Sequence, residues 1–172
     1  MLRRTFFAIT AVAVGVGKRL RGQDRGELQR MTDAQLASTP HKSEEIMGMA
    51  SADLVAILKN SDSTEFAKAK ACQRLAVVGE PSAVPALVEL LDDPRLAHYA
   101  RTALEPMPSG TADQALREAL GRLNGGLLVG VINSIGVRRD PLALTGLARL
   151  RQSDDQAVRD AATAAINRIR RP

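Results

Sequence analysis

Few residues of this chain have types and spacing that could do chemistry. They are a single cysteine, Cys72, the histidine His98, and the carboxylate pairs Asp92-Asp93 and Asp154-Asp155. A thiol next to an imidazole is the arrangement of an activated nucleophile, and it requires the two groups within hydrogen-bonding reach. Cys72 lies one turn before Leu75, in the helical register of Arg101, Ile132 and Thr163. His98 falls in a different column, with Ala69, Val129 and Asp160. The spacing keeps them apart, so Cys72 reads as a small buried hydrophobe and His98 as a residue at a helix edge. Paired carboxylates could serve as general acid and base, but both pairs stand at turns between apolar segments, where aspartate caps the next helix. Gly125-Gly126 could cradle an anion at a helix start. No Lys or Ser/Thr follows in phosphate-loop spacing, so the pair reads as a turn. Arg138-Arg139-Asp140 reads as a solvated turn.

Composition removes further classes of function. One Cys excludes an intramolecular disulfide, and one Cys with two His is too few for a structural zinc site. No CxxCH haem-attachment motif is present. Phe6, Phe7, Phe66 and Tyr99 are the only aromatic residues, which leaves no stacking platform for sugars or single-stranded nucleic acid. The formal charge of +5 belongs to the first thirty residues, where seven basic groups face two acidic ones; residues 31–172 hold 17 of each sign. The body therefore exerts no net pull on a phosphate backbone. The expectation is a chain that is not an enzyme, with no catalytic, cofactor or metal site and no nucleic-acid partner.

The elements that position these residues fall into three stretches. Residues 1–17, MLRRTFFAITAVAVGVG, have a short basic start, an uncharged apolar run and small residues before a cleavage point after Gly17. The run is too short to span a bilayer and fits a signal peptide, which predicts an exported protein, periplasmic or extracellular. Arg3-Arg4-Thr5-Phe6-Phe7 also resembles a twin-arginine export motif. Lys18, Arg19 and Arg21 follow at once and oppose translocation, so a cytoplasmic chain that keeps this segment is the alternative. Membrane contact is expected only through this segment, if it stays uncleaved. Residues 18–50 read as a partly ordered basic linker, with short helical candidates at Met31–Leu36 and at 43–50.

From residue 51 to 172 short apolar-periodic segments alternate with Asp, Asn, Gly and Pro breaks, which predicts eight helices and no strand. Ser51, Ser82, Thr111 and Asp140 stand at cap positions, a further helix runs from Thr64 to Val78, the turn Asp154-Asp155 caps the last helix, and Pro94 suits a first helical turn. The helices pair. The first members align at Leu58, Leu91, Leu120 and Leu150, and the second at Leu75, Leu104, Ile135 and Ile166. Two further columns, Ala71, Ala100, Val131, Ala162 and Ala67, Leu96, Leu127, Val158, are apolar in every row. Four such units clear the minimum of about three that a stacked array needs.

These residues carry a resemblance. Ser153-Asp-Asp-Gln-Ala-Val158-Arg159-Asp-Ala-Ala162 is similar to the HEAT-repeat signature, an Asp-led turn followed by VRxxA. Glu80-Pro-Ser-Ala-Val84-Pro85-Ala-Leu87-Val-Glu-Leu-Leu91-Asp-Asp-Pro94 resembles its first helix and turn. The likeness is to the short bacterial HEAT-like type, also seen in phycobilin lyases, and covers 51–172. The third unit departs from it, with Gly125-Gly126 in place of the Asp-Pro turn and no arginine of the VRxxA kind. The resemblance implies an all-α protein, an α-solenoid of about four helix pairs behind the apolar segment and linker. Its implied role is a non-enzymatic scaffold that binds a protein partner or docks a neighbouring domain. It also admits a lyase-like or chaperone-type protein acting on a tetrapyrrole-bearing protein, or a repeat fragment of a larger exported enzyme. Asp and Arg at repeat boundaries commonly bridge units in such arrays, and second helices line the concave side. On those helices Gln73, Thr102 and Asn133 form a polar ladder, with Arg101 beside it and His98 at its edge. These five are the candidate partner-binding residues; ordinary solvation of a helix face is the competing reading.

Overall fold

A computed structural model of the protein describes residues 42–108 and 110–171. The apolar segment 1–17, the linker up to residue 41 and the helical candidate Met31–Leu36 lie outside the described residues. The described residues form nine α-helices and no strand: α1 (Ser43–Gly48), α2 (Ser51–Lys59), α3 (Glu65–Val78), α4 (Val84–Glu89), α5 (Ala97–Leu104), α6 (Gly110–Ala119), α7 (Gly125–Arg138), α8 (Leu144–Leu150) and α9 (Gln156–Arg170). The protein is all-α, with the eight helices expected from residue 51 onward. The candidate at 43–50 is a ninth. Its Ile46 is fully buried and α1 packs on α3, so the packed helices begin ahead of Ser51. None of the described helices is long and apolar enough to cross a membrane.

The expected caps at Asp140 and Asp155 form, and Thr64, expected inside the helix, caps α3 instead. Thr64 Oγ1 accepts from Ala67 N at 3.1 Å, Asp140 Oδ1 from Leu142 N at 3.0 Å, and Asp155 Oδ1 from Ala157 N at 2.8 Å. Each supplies an acceptor to an amide that the first helical turn leaves unsatisfied. Other expected boundaries shift. Ala50, not Ser51, is the N-cap of α2, and Ser51 Oγ is buried without a partner. Ser82 makes no cap bond; it sits inside a 3-10 turn, Pro81–Ala83, that feeds α4. Pro94 stays in the turn before α5, where Asp93 Oδ1 accepts from Arg95 N. Thr111 is already helical, because α6 starts at Gly110. Ala50 and Glu80 take the extended conformation ahead of α2 and of the Pro81–Ala83 turn, and neither start carries a side-chain cap bond.

Within the described residues the helices pack as α2 on α3, α4 on α5, α6 on α7 and α8 on α9. The second members also pack in succession, α3 on α5, α5 on α7 and α7 on α9, and the first members as α2 on α4 and α4 on α6. The second-helix columns are the reason. Ala71, Ala100, Val131 and Ala162 are each fully buried, and Leu75, Leu104, Ile135 and Ile166 are at most 5% exposed. Leu127 alone breaks the third column by being half-buried. Among the first helices the buried row is Leu54, Leu87, Leu116 and Leu147. Leu147 lies 31 residues after Leu116, so the expected alignment of Leu120 with Leu150 is one residue out, and Arg151 occupies the position equivalent to Leu120.

Small residues set how closely the second helices approach. A Cβ on Gly136 would stand 3.0 Å from Ala165 Cα and 3.1 Å from Ala165 Cβ, so α7 meets α9 nearly backbone to backbone. In an open helix, Gly→Ala gains about 1 kcal/mol. Here the added methyl must push α9 away, and Gly136→Ala is expected to lose about 1–2 kcal/mol instead. Thermal unfolding followed by far-ultraviolet circular dichroism checks this, and a raised midpoint would contradict the close α7–α9 contact.

Candidate functional site

The ladder residues come from corresponding positions of α3, α5 and α7. Gln73 and Thr102 are exposed, and Asn133 is half-exposed. Four residues further on stand Val77, 72% exposed, Pro106, exposed in the turn after α5, and Val137, 53% exposed. Sequence reasoning passed over this second row because a lone valine near a helix end gives no periodic signal. Recurrence in one column across three helices is the signal that could have found it. Thr102 Oγ1 donates to His98 O at 2.9 Å, so its hydroxyl proton is used within its own helix. His98 is exposed and its ring meets the Tyr99 ring edge-on, with centroids 5.6 Å apart.

Arg101 does not join this face. Its side chain crosses from α5 to α7, where Nη1 donates to Gly130 O at 3.0 Å and approaches Ser134 Oγ at 3.5 Å. The guanidinium lies where a Cβ on residue 130 would be, 2.6 Å from Cζ, so only glycine at that position admits it. Ser134 is fully buried, and its hydroxyl donates to Glu105 Oε1 at 2.7 Å. Burial pulls the Arg101 guanidinium below the ordinary arginine value, while the nearby Glu105 charge opposes that shift. Arg101 Nε is buried without a hydrogen-bond partner. The group is committed to the α5–α7 contact.

Of Arg138-Arg139-Asp140 only Arg139 is exposed; Arg138 and Asp140 bridge neighbouring helices, the alternative to a solvated turn. The Arg138 side chain is 8% exposed. Its Nη1 donates to Leu104 O at 2.7 Å and to Glu105 O and Met107 O at 2.8 Å each, and its Nε pairs with Asp113 on α6. These carbonyls end α5 and begin the turn after it, so a cation from α7 closes the C-terminus of a helix one pair away. Asp140 is 6% exposed and ion-paired to Arg117 on α6. Between the two, Arg139 ends α7 with φ 54°, a left-handed conformation usually left to glycine. Arg122 joins Asp92 and Val88 O, tying the end of α6 to α4. Arginines thus stitch the second helix pair to the third, and Arg117 holds the turn that leads into α8.

Cys72 is fully buried, and burial pushes its thiol up to about 12. It is protonated at neutral pH and lies apart from the exposed His98. Asp92 holds Arg122, while Asp93 and Asp155 accept from backbone amides, so these carboxylates are used in turns. Among the described residues no cluster of three or more His, Cys, Asp or Glu is placed to hold a metal ion.

The fold thus defines an all-α protein of paired helices joined by arginine bridges. Compared with known proteins, the chain matches no family model and no curated protein.

Proposed function

We propose that the protein is a HEAT-like α-solenoid scaffold that binds a segment of a protein partner along its second helices. The observation that carries this reading is the double row Gln73, Thr102, Asn133 and Val77, Pro106, Val137. The first row offers amide and hydroxyl groups to a backbone, and the second offers apolar area that water leaves at a gain. Successive packing of first helices on first and second on second supports the solenoid part of the reading. Arg101 is left out of the contact set because its guanidinium is occupied between α5 and α7.

Both rows are uncharged, so affinity should change little with salt. Without Trp, and with Tyr99 as the one Tyr, few aromatic anchors are available, and a roughly micromolar affinity is expected. The test is capture of a partner from the source organism, repeated with Asn133→Arg and Val137→Asp. Both changes should abolish capture and leave the unfolding free energy within about 1 kcal/mol of wild type. Capture that survives both, or that follows the basic segment 18–30, would sink the reading.

A further inference from the structure

The first-helix layer carries a separate feature, between α6 and α8. Leu91, at the end of the α4 column, is fully buried, but Leu120, its counterpart after α6, is half-buried. The cause is local. Gly146 holds the position of Ala115, 31 residues earlier, and has no methyl to lay over Leu120; Arg151 stands where a further leucine would continue the column. Leu120 Cδ1 is 3.3 Å from the place a Gly146 Cβ would take, so the two helices meet at this point and open on either side of it. The opening has a volume of about 290 Å³ and is lined by Leu120, Gly121, Gly146 and Leu150, with Arg117 and Arg149 at its walls and Leu142 at its lip. Leu142 is 73% exposed, the most exposed large apolar residue among those described.

Charge is distributed unevenly along the chain. Residues 138–171 hold eight arginines against four aspartates, a balance of +4, while residues 42–137 hold nine basic and twelve acidic groups, a balance of −3. The neutrality of the body conceals this division. Arg117 is neutralised by Asp140. Arg149, Arg151 and Arg170 have no ion-pair partner among the described residues. Arg149 and Arg170 share a second, more open hollow that continues along α8. An apolar slot therefore lies beside cations that have no ion-pair partner among the described residues.

We propose that the α6–α8 cleft is a docking slot for an acidic protein segment that inserts leucine-sized side chains against Leu120, Leu142 and Leu150 and sets its carboxylates on Arg149 and on Arg170 in the adjoining hollow. The slot is at the small end of ligand cavities, which suits side chains rather than a cofactor. It has no aromatic face on which bases could stack, which favours a peptide over single-stranded nucleic acid. It lies on the first-helix layer and does not rest on the second-helix reading above.

The probe is a fluorescein-labelled peptide, Asp-Glu-Leu-Leu-Asp-Glu-Leu-Glu-Asp, titrated with the full chain and followed by anisotropy. A Kd of about 10–100 µM is expected, weakening steeply as salt rises. The same peptide with alanine at each leucine should bind at least ~10-fold more weakly. Gly121→Leu fills the slot without a clash, since a Cβ there has only Glu118 O nearby, at 3.7 Å. It should weaken binding ~5-fold or more, and Arg149→Glu ~10-fold. Asn133→Arg should leave this binding unchanged, which separates its failure from failure of the second-helix reading. Thermal midpoints of both slot variants equal to wild type show that the fold is intact. The proposal is overturned by no binding at about 1 mM peptide, by equal binding of the alanine peptide, or by indifference to Gly121→Leu. It is also overturned if a single-stranded DNA oligonucleotide binds more tightly than the peptide and responds to Arg149→Glu alone.

Discussion

Val131→Asp is expected to unfold the centre of the protein. Val131 is fully buried on α7, the helix that packs on both α5 and α9. Its neighbours in the column, Ala100 and Ala162, are also fully buried and offer no donor. A carboxylate there must either stay charged without a partner or take up a proton, and both cost free energy in an apolar site. The apolar contacts of the valine are lost as well. Together these amount to about 4 kcal/mol or more, a large share of the 5–15 kcal/mol by which most domains are stable. The variant should lose its cooperative helical transition or show it at a much lower temperature. Leu104→Asp, fully buried on α5, should behave alike. An unchanged melting temperature in either variant would mean that the second-helix columns do not form the core.

Arg138→Met is expected to have the next largest effect, for the opposite reason: it removes a charge that the interior requires. The Arg138 guanidinium serves Leu104 O, Glu105 O, Met107 O and the Asp113 carboxylate. Methionine keeps most of the volume and leaves those acceptors without this donor. Breaking a buried pair from one side typically costs 3–5 kcal/mol, and because Asp113 is 26% exposed the lower end, about 3 kcal/mol, applies. For a domain of this size that is a fall of roughly 10 °C in Tm. Arg138→Lys should recover little, because an ammonium is a point charge and does not reproduce the planar fork. Asp113→Asn, which keeps an acceptor, should cost less than Arg138→Met. A loss below about 1 kcal/mol in Arg138→Met would show that water satisfies the end of α5 equally well.

The two expected results differ in how visible they were in the amino-acid sequence. Val131 sits in a column that repeats four times, and periodicity of that kind is a property of one chain read in order. The helix pairs, the caps Asp140 and Asp155, and the burial of Cys72 were legible for the same reason: each depends on residues a few positions apart. Burial of Arg138 was not legible. Next to Arg139 and Asp140 it has the composition of a solvated turn, and its acceptors lie 31–34 residues earlier in the chain.

The candidate face divides along the same line. That Gln73, Thr102 and Asn133 share a column follows from spacing alone, and so did the placement of Arg101 beside them. A long flexible side chain, however, goes where its partner is, and the Gly130 carbonyl is supplied by the next helix. A lone glycine inside a helix is only a weak sign of close approach, so Gly130 and Gly136 did not by themselves point to Arg101 or to α9. The α6–α8 slot was hidden further, behind a one-residue slip that puts Arg151 rather than Leu150 in register with Leu120. Sequence by itself determined the all-α class, the pairing of helices and which columns are apolar, because these follow from local periodicity and capping. Tertiary structure alone decided where the arginines reach, which leucines stay open and how near the helices come, because each of those is settled by a residue about thirty positions away.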